Sequence, residues 1–231
     1  MIEGKIGTRE PLKIYVTHLN KVDSITTQNG TFKFSLNVSS PQLIRVVAAV
    51  ANNMRINASR SFFTSNGVIH IEAKSIDDYR QIHITSSDTI SENMYHSFRA
   101  RFDPLVQVAR TYIDRSYDSG RTESEQKLLG DLYAHINQIE REVAIKFVYE
   151  HTNDAVGAYV FNYFLQEEKN AAKLDSIYNL FDPNLHTSFD LIEMRKKNDH
   201  MKKLAIGKPA PLFSAITSTH QTLRSTASNL F

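Results

Sequence analysis

The chain has 231 residues, 41% hydrophobic and 23% charged, a composition typical of a folded globular protein rather than a disordered tail. Its 27 basic and 25 acidic residues are intermixed and give a formal net charge of +2, which excludes the dense basic field of a nucleic-acid-binding protein. No apolar run approaches the roughly 20 residues of a membrane-spanning helix. Because the chain contains no cysteine, thiol chemistry is excluded as well.

Residues 1–88 show a period of two and predict a β-rich module. Apolar and polar residues alternate over 12–17 and 31–38, as expected of half-buried antiparallel strands. Asn29-Gly30 precedes the second of these strands, and its preference for positive φ predicts a tight hairpin with residues 24–27. Further strands are expected over 43–50, 61–64, 68–73 and 81–85. We therefore predict an antiparallel, β-sandwich-like module.

Residues 89–204 follow a period near 3.6 and predict an all-helical module, so that the fold class is α+β. Ser91 is expected to cap the first helix, and Pro104 to interrupt or restart it. Thr122 and Glu125 form a capping-box pattern before an apolar stripe that begins at Leu128. Later helices are predicted over 155–166, with Asp154 as cap, and over 171–180 and 188–203. The stripe continues through Leu132, Ile136, Ile139, Val143 and Phe147.

Residues 205–231 predict an extended lead-in to a further domain that this chain lacks. Pro209 and Pro211 flank Ala210 and disfavour helix on either side. The sequence Ile-Gly-Lys-Pro-Ala-Pro-Leu-Phe over 206–213 resembles the I-G-K-x-A-P-x-F opening of thioredoxin-like domains in the TlpA/ResA and peroxiredoxin superfamily. Leu212 departs from the acidic residue usual before the phenylalanine.

The resemblance extends over most of the chain. Residues 23–34 are similar to the D-S…x-G-x-F-x-F hairpin in N-terminal regions of bacterial exported thiol:disulfide oxidoreductases, and 66–71 to their second glycine-led strand. Residues 91–95 resemble the S-x-x-N-x-x-Y stretch that opens their helices. Residues 147–159 resemble their F-x-x-x-H-x-N-S-x-x-G-A-Y passage. The chain is thus identified as resembling the N-terminal accessory region of such a protein, without the thioredoxin domain and its Cys-x-x-Cys.

This resemblance implies a non-catalytic scaffold or client-recognition region of an oxidoreductase that maintains redox homeostasis in the periplasm or cell envelope. Its partners would be client proteins or its own missing thioredoxin-like domain, with homo-oligomerisation also open and membrane anchoring only through an N-terminal signal outside this chain. Strand-like alternation begins directly after Met1, so we expect any export signal to precede this chain. The alternative is a stand-alone envelope protein that binds a peptide or a glycan.

The residues themselves predict no catalytic, cofactor-binding or metal-binding site. The nine histidines form no metal-ligand pattern, and Glu140 and Glu142 fit a solvated, charge-paired helix face better than an acid–base pair. Tyr159 and Tyr163 belong to a dense aromatic stretch that serves either as ordinary helix packing or as part of a partner groove. Phe62 poses the same choice on the β-module, since Phe62 and Phe63 must face opposite ways in a regular strand.

Overall fold

The computed structural model describes residues 1–19, 21–38, 40–51, 53–65, 67–76, 83–108 and 122–205, and the short strands Ser214–Ile216 and Thr222–Arg224. Its N-terminal part is built from eight strands: β1 (Ile2–Ile6), β2 (Leu12–His18), β3 (Lys21–Thr27), β4 (Thr31–Phe34), β5 (Gln42–Val50), β6 (Asn53–Thr64), β7 (Ile69–Ala73) and β8 (His83–Ser86).

These strands form two four-stranded sheets, which we call sheet A and sheet B. Sheet A has the order β4-β1-β7-β8, and sheet B has the order β3-β2-β5-β6. Their facing sides share one core, to which sheet A contributes Ile2 and Phe32 and sheet B contributes Ile14 and Ile44. The predicted sandwich-like module is confirmed. Within it, β1 and β7 run parallel, whereas the other pairs are antiparallel.

The expected hairpin at Asn29-Gly30 is wrong in its pairing. A turn does form there: Gly30 has φ 74°, and the Thr31 N–H donates to Asn29 Oδ1 at 3.0 Å. However, the turn carries the chain from β3 in sheet B to β4 in sheet A, where Phe32 lies opposite Gly4. The hairpin partner of β3 is β2, and their antiparallel pairing runs from Leu12 opposite Thr27 to His18 opposite Lys21.

Phe62 and Phe63 are both fully buried, in two different cores. Phe62 points into the sandwich, and Phe63 points out of the other face of sheet B into the helices. The rings of Tyr95 and Tyr159 lie 6.0 and 5.7 Å from the ring of Phe63. Because successive side chains of a strand point to opposite faces of the sheet, β6 contributes to both cores.

The helical part contains five α-helices in the described residues, beside a helical turn at 103–108 that follows Phe102. None of the described helices is long and apolar enough to cross a bilayer. The five are α1 (Thr89–Ala100), α2 (Glu123–Glu150), α3 (Ala155–Phe164), α4 (Ala171–Tyr178) and α5 (Phe189–Lys203), with a 3₁₀ helix at Pro183–Thr187 before α5.

Most helix starts follow the predicted caps. Thr122 accepts from the Glu125 N–H while the Glu125 carboxylate accepts from the Thr122 N–H, which confirms the capping box. Asp154 caps α3 as expected. The expected cap at Ser91 is wrong: Asp88 caps α1 and accepts from the Ser91 N–H at 3.2 Å, since a carboxylate three residues earlier reaches this donor.

The apolar stripe of α2 is displaced by one residue at its start. Leu128 is 64% exposed, whereas Leu129 is buried and begins the inward face. At the other end, α2 packs closely on α3 through His151 and Gly157. The His151 ring lies 4.2 Å from that of Phe147, and a Cβ on Gly157 would lie 1.9 Å from the His151 carbonyl oxygen. The spacing of Phe147, His151 and Gly157 is therefore that of a tight helix–helix corner.

Near the C-terminus, β9 (Ser214–Ile216) and β10 (Thr222–Arg224) pair antiparallel. Of the lead-in expected over 205–231, residues 206–213, 217–221 and 225–231 lie outside the described residues.

Candidate functional site

The candidate site begins with the edge strand of sheet B, β6, whose outward backbone groups have no further strand to pair with. In this ladder the odd-numbered residues of β6 point away from β5, because alternate residues of an antiparallel strand bond to opposite sides. Two outward N–H groups at the end of this strand are covered by residues of α1 and its cap. Phe63 donates to the Glu92 carboxylate, and Ser65, directly after β6, donates to Asp88 Oδ2 at 2.9 Å.

This arrangement makes α1 a partial cover for the sheet edge. Asp88 and Glu92 lie one helical turn apart, so both carboxylates reach the strand from the first turn of α1. Carboxylates placed on outward N–H groups prevent further strand pairing at Phe63 and Ser65. Ser61 is the next odd-numbered residue, and within the described part of the chain its N–H has no partner beyond the sheet.

Glu92 is the electrostatically unusual residue of this region. Burial raises the pKa of the Glu92 carboxyl, while the Phe63 N–H and the neighbouring His96 act in the opposite direction. His96 Nε2 lies 2.8 Å from Glu92 Oε1, and its side chain is 65% exposed. The pair therefore extends from the covered strand edge to solvent.

A cleft of about 390 Å³ opens beside this pair, between the edges of the two sheets. Sheet A ends at β8, and the Ser87 N–H donates to the Val68 carbonyl at 3.2 Å. By alternation, the backbone groups of Ile84 then point away from β7, toward the cleft. The lining residues are Arg60, Ser61, Ile84, Thr85, Ser86, Thr89, Glu92, Asn93 and His96.

The pleat of each strand determines which side chains point into the cleft. Arg60 and Ile84 lie on the inner faces of their sheets, in register with the buried Val46 and Ile71. The cleft thus combines an apolar floor at Ile84 with a cation at Arg60, a carboxylate at Glu92 and outward backbone groups on both walls. Such a surface suits an extended polypeptide, which needs main-chain partners on one side and a place for alternate side chains.

The structure places the three predicted partner-binding residues apart from this cleft. Phe62 is fully buried in the sandwich core and has no open face. Tyr159 is 9% exposed, and its hydroxyl bonds to that of Tyr95. Burial raises the pKa of Tyr159 far above the usual range for a phenol. Tyr163 is 58% exposed and stacks on Tyr159 with ring centroids 5.5 Å apart. Tyr163 alone of the three presents a ring to solvent.

The charged clusters of the helices are paired internally. Asp190 is buried, and its Oδ1 accepts from Asn162 Nδ2 at 2.9 Å, while burial raises the pKa of its carboxyl. Lys202 Nζ lies 2.5 Å from Asp175 Oδ2. In the described part of the chain no group of three or more metal-ligating side chains comes together.

The sequence patterns do not identify Arg60, Glu92 or His96 as site residues. One local signal was present, since Glu92 and His96 have the i, i+4 spacing of neighbours on a helix face. No such signal links Arg60 or Ser61 to Ile84, because these residues meet only when the two sheets stack.

Residues 1–92 match the family model of a domain of unknown function, DUF4369. The match covers both sheets and the first turn of α1, so that Arg60, Ile84 and Glu92 lie inside it and His96 lies just beyond it. Neither a curated protein nor a solved structure matches the chain.

Proposed function

We propose that this chain is a non-catalytic client-recognition region that binds an extended polypeptide in the cleft between β6 and β8. The observation that carries the proposal is the convergence of two sheet edges on one cleft, with outward backbone groups at Ser61 and Ile84. A client strand adds to the edge of sheet B at Ser61, beyond the two N–H groups that Asp88 and Glu92 cover.

The side chains of the cleft define the client's pattern. Alternate side chains of an added strand point to one face, so an apolar residue of the client packs on Ile84 at the open side of the sandwich. The neighbouring polar residues of the client face Arg60, His96 and solvent. Unfolded segments with alternating apolar and polar residues are the expected clients.

The redox context rests on the resemblance of the chain to exported thiol:disulfide oxidoreductases. In this proposal the region lies in the periplasm or cell envelope and delivers an unfolded, oxidised client to the thioredoxin-like domain of the parent protein. A client-binding cleft serves such a reaction because a disulfide must be exposed in an extended segment before a thiolate attacks it. The same cleft in a stand-alone protein would bind peptides without any redox step.

The binding step is tested with reduced, carboxymethylated lactalbumin as a permanently unfolded probe, by titration calorimetry or fluorescence anisotropy. Ser61→Pro removes the outward N–H while proline is tolerated on that side of an edge strand. The expected result is binding at least about tenfold weaker, the equivalent of one or two main-chain hydrogen bonds. Ser61→Ala is the matched control, because it keeps the N–H and should bind as the wild type does.

Two outcomes contradict the proposed site. Equal binding by Ser61→Pro and Ser61→Ala would show that the edge of sheet B is not used. Loss of binding in Tyr163→Ala, with Ser61→Pro unaffected, would move the site to the exposed ring on α3.

The redox context has its own test. Insulin reduction is expected from a parent protein that carries a Cys-x-x-Cys domain and not from this cysteine-free chain. A parent reading frame that ends at Phe231 would remove the redox context. The binding function would then be tested by the lactalbumin titration alone.

A further inference from the structure

The opposite edge of sheet B, strand β3, is exposed on both faces. Six of its seven residues, Lys21 to Thr26, are exposed, and only Thr27 is buried. Among the described residues β3 pairs with β2 alone. β6 differs, because a carboxylate covers the outward N–H of Phe63 near its end, whereas no described side chain covers the outward groups of β3.

The register of the β2–β3 hairpin shows which backbone groups are available. Its two-residue loop joins His18 and Lys21, and the residues that flank such a loop form a hydrogen-bonded pair. Alternation then directs the N–H and C=O groups of Lys21, Asp23 and Ile25 toward β2. The backbone groups of Val22, Ser24 and Thr26 point outward, where another strand can pair with them.

We infer that β3 is a dimerisation edge, at which two copies of this chain pair their β3 strands antiparallel about a twofold axis at Val22. In this register Val22 faces Val22 of the second copy, and Lys21 faces Asp23 on both sides of the axis. Val22 is 63% exposed and gains an apolar partner across the axis.

Other registers lack this complementarity. A twofold between Asp23 and its copy opposes two carboxylates, and a twofold at Ser24 opposes Asp23 to Ile25. A twofold at Ile25 gives one apolar pair and no ion pair. Lysine on an edge strand ordinarily discourages strand pairing. In the register centred on Val22, Asp23 of the second copy lies opposite Lys21 and compensates its charge. The Asp23 side chain is 56% exposed, and its Oδ2 lies 3.4 Å from His18 Nε2 of its own chain.

The pairing would extend sheet B to eight strands across the two copies. Because β3 and β6 lie at opposite ends of the sheet order, the β6 edge of each copy stays at an outer end of the joined sheet. The dimer surface does not depend on the proposed client function, and it leaves both clefts open.

Cysteine cross-linking reads the register directly, because the chain has no cysteine of its own. In the inferred dimer the two Val22 Cα atoms are about 5.5 Å apart, within disulfide range, whereas the two Ser24 Cα atoms are about 13 Å apart. We expect Val22→Cys to form a covalent dimer on mild oxidation with diamide and Ser24→Cys, a control at another exposed position of the same strand, to stay monomeric. Equal cross-linking of both variants, or of neither, would overturn the inference.

Charge reversal tests the same register without a covalent bond. Lys21→Asp and Asp23→Lys each place like charges opposite one another in a homodimer, and each should self-associate about tenfold more weakly in sedimentation velocity. An equimolar mixture of the two variants restores both opposite-charge pairs and should recover the association of the wild type. A wild-type chain that stays monomeric at millimolar concentration, or a mixture that fails to recover, contradicts the inferred edge.

Discussion

Replacing Glu92 tests the role of α1 as the cover of the β6 edge. Phe63 is fully buried, and its N–H donates to the Glu92 carboxylate. Glu92→Ala removes this acceptor and leaves a buried donor unsatisfied, which costs about 2 kcal/mol, within the usual range for such losses. The unfolding equilibrium should shift by a factor of about 30. Urea denaturation followed by circular dichroism measures the free energy of unfolding directly.

Two further variants separate the hydrogen bond from the charge. Glu92→Gln keeps an acceptor for the Phe63 N–H and loses only the exposed contact with His96, so its free energy of unfolding should stay within about 1 kcal/mol of the wild type. Asn93→Ala, at the neighbouring exposed position of α1, should change it by less than about 0.5 kcal/mol. If Glu92→Ala is as stable as Asn93→Ala, the carboxylate does not hold the strand edge.

The pH dependence of the same pair has a definite sign. Burial raises the pKa of Glu92 above its ordinary value of 4.5, so the folded state holds this proton more tightly than the unfolded state. The stabilisation from the protonated carboxyl is present below pH 4.5 and is lost as the pH rises through the folded-state pKa. The stability of the wild type relative to Glu92→Gln should therefore fall as the pH is raised from 4.5. A relative stability that increases with pH would refute burial as the dominant effect.

Four other substitutions address the two cores and the start of the longest helix. Phe62→Ala and Phe63→Ala should each lower the free energy of unfolding by about 3–5 kcal/mol. Hydrogen exchange should accelerate in the sandwich strands for Phe62→Ala and in α1 and α3 for Phe63→Ala. Identical exchange maps for the two variants would contradict two separate cores. Thr122→Ala should cost about 1 kcal/mol in thermal or urea unfolding, since it removes the hydroxyl half of the capping box. Gln126→Ala, at an exposed position of the same helix start, serves as the control. Because burial raises the pKa of Tyr159, Tyr159→Phe should leave the number of tyrosines that titrate in the folded protein unchanged when it is followed by alkaline difference absorbance. The substitution should also cost about 1 kcal/mol of stability through the lost bond to Tyr95. A loss of one titrating phenol would show that Tyr159 is accessible.

Local patterns of the sequence predicted most elements well. The alternation at Leu12, Ile14 and Val16 gave a strand, and Thr122 with Glu125 gave the start of the longest helix, because both patterns depend on neighbours within one turn or one pleat. The Asn29-Gly30 turn also formed, yet its strands separated into different sheets. Turn chemistry fixes the local backbone, and it does not determine which strand the chain pairs with afterwards.

The site was less accessible from the sequence than the fold. The aromatic stretch that contains Tyr159 and Tyr163 predicts either packing or a partner groove, and in the structure Tyr159 packs in the core while Tyr163 is exposed. Glu92 was visible only as one acidic residue near a helix start. Its importance comes from the Phe63 N–H, which is 29 residues earlier in the chain and reaches it only through the position of α1 on sheet B.

The sequence by itself determined the α+β composition, the period of each segment, the caps at Thr122 and Asp154 and the absence of cysteine, since each depends on residue type and short spacing. Tertiary structure alone decided that Phe62 and Phe63 serve different cores and that Arg60, Ile84 and Glu92 line one cleft. It also decided that α1 partly covers one edge of sheet B, while no described side chain covers the other edge. These features arise from contacts between strands distant in sequence, where burial and backbone pairing select the partner and local propensity has no influence.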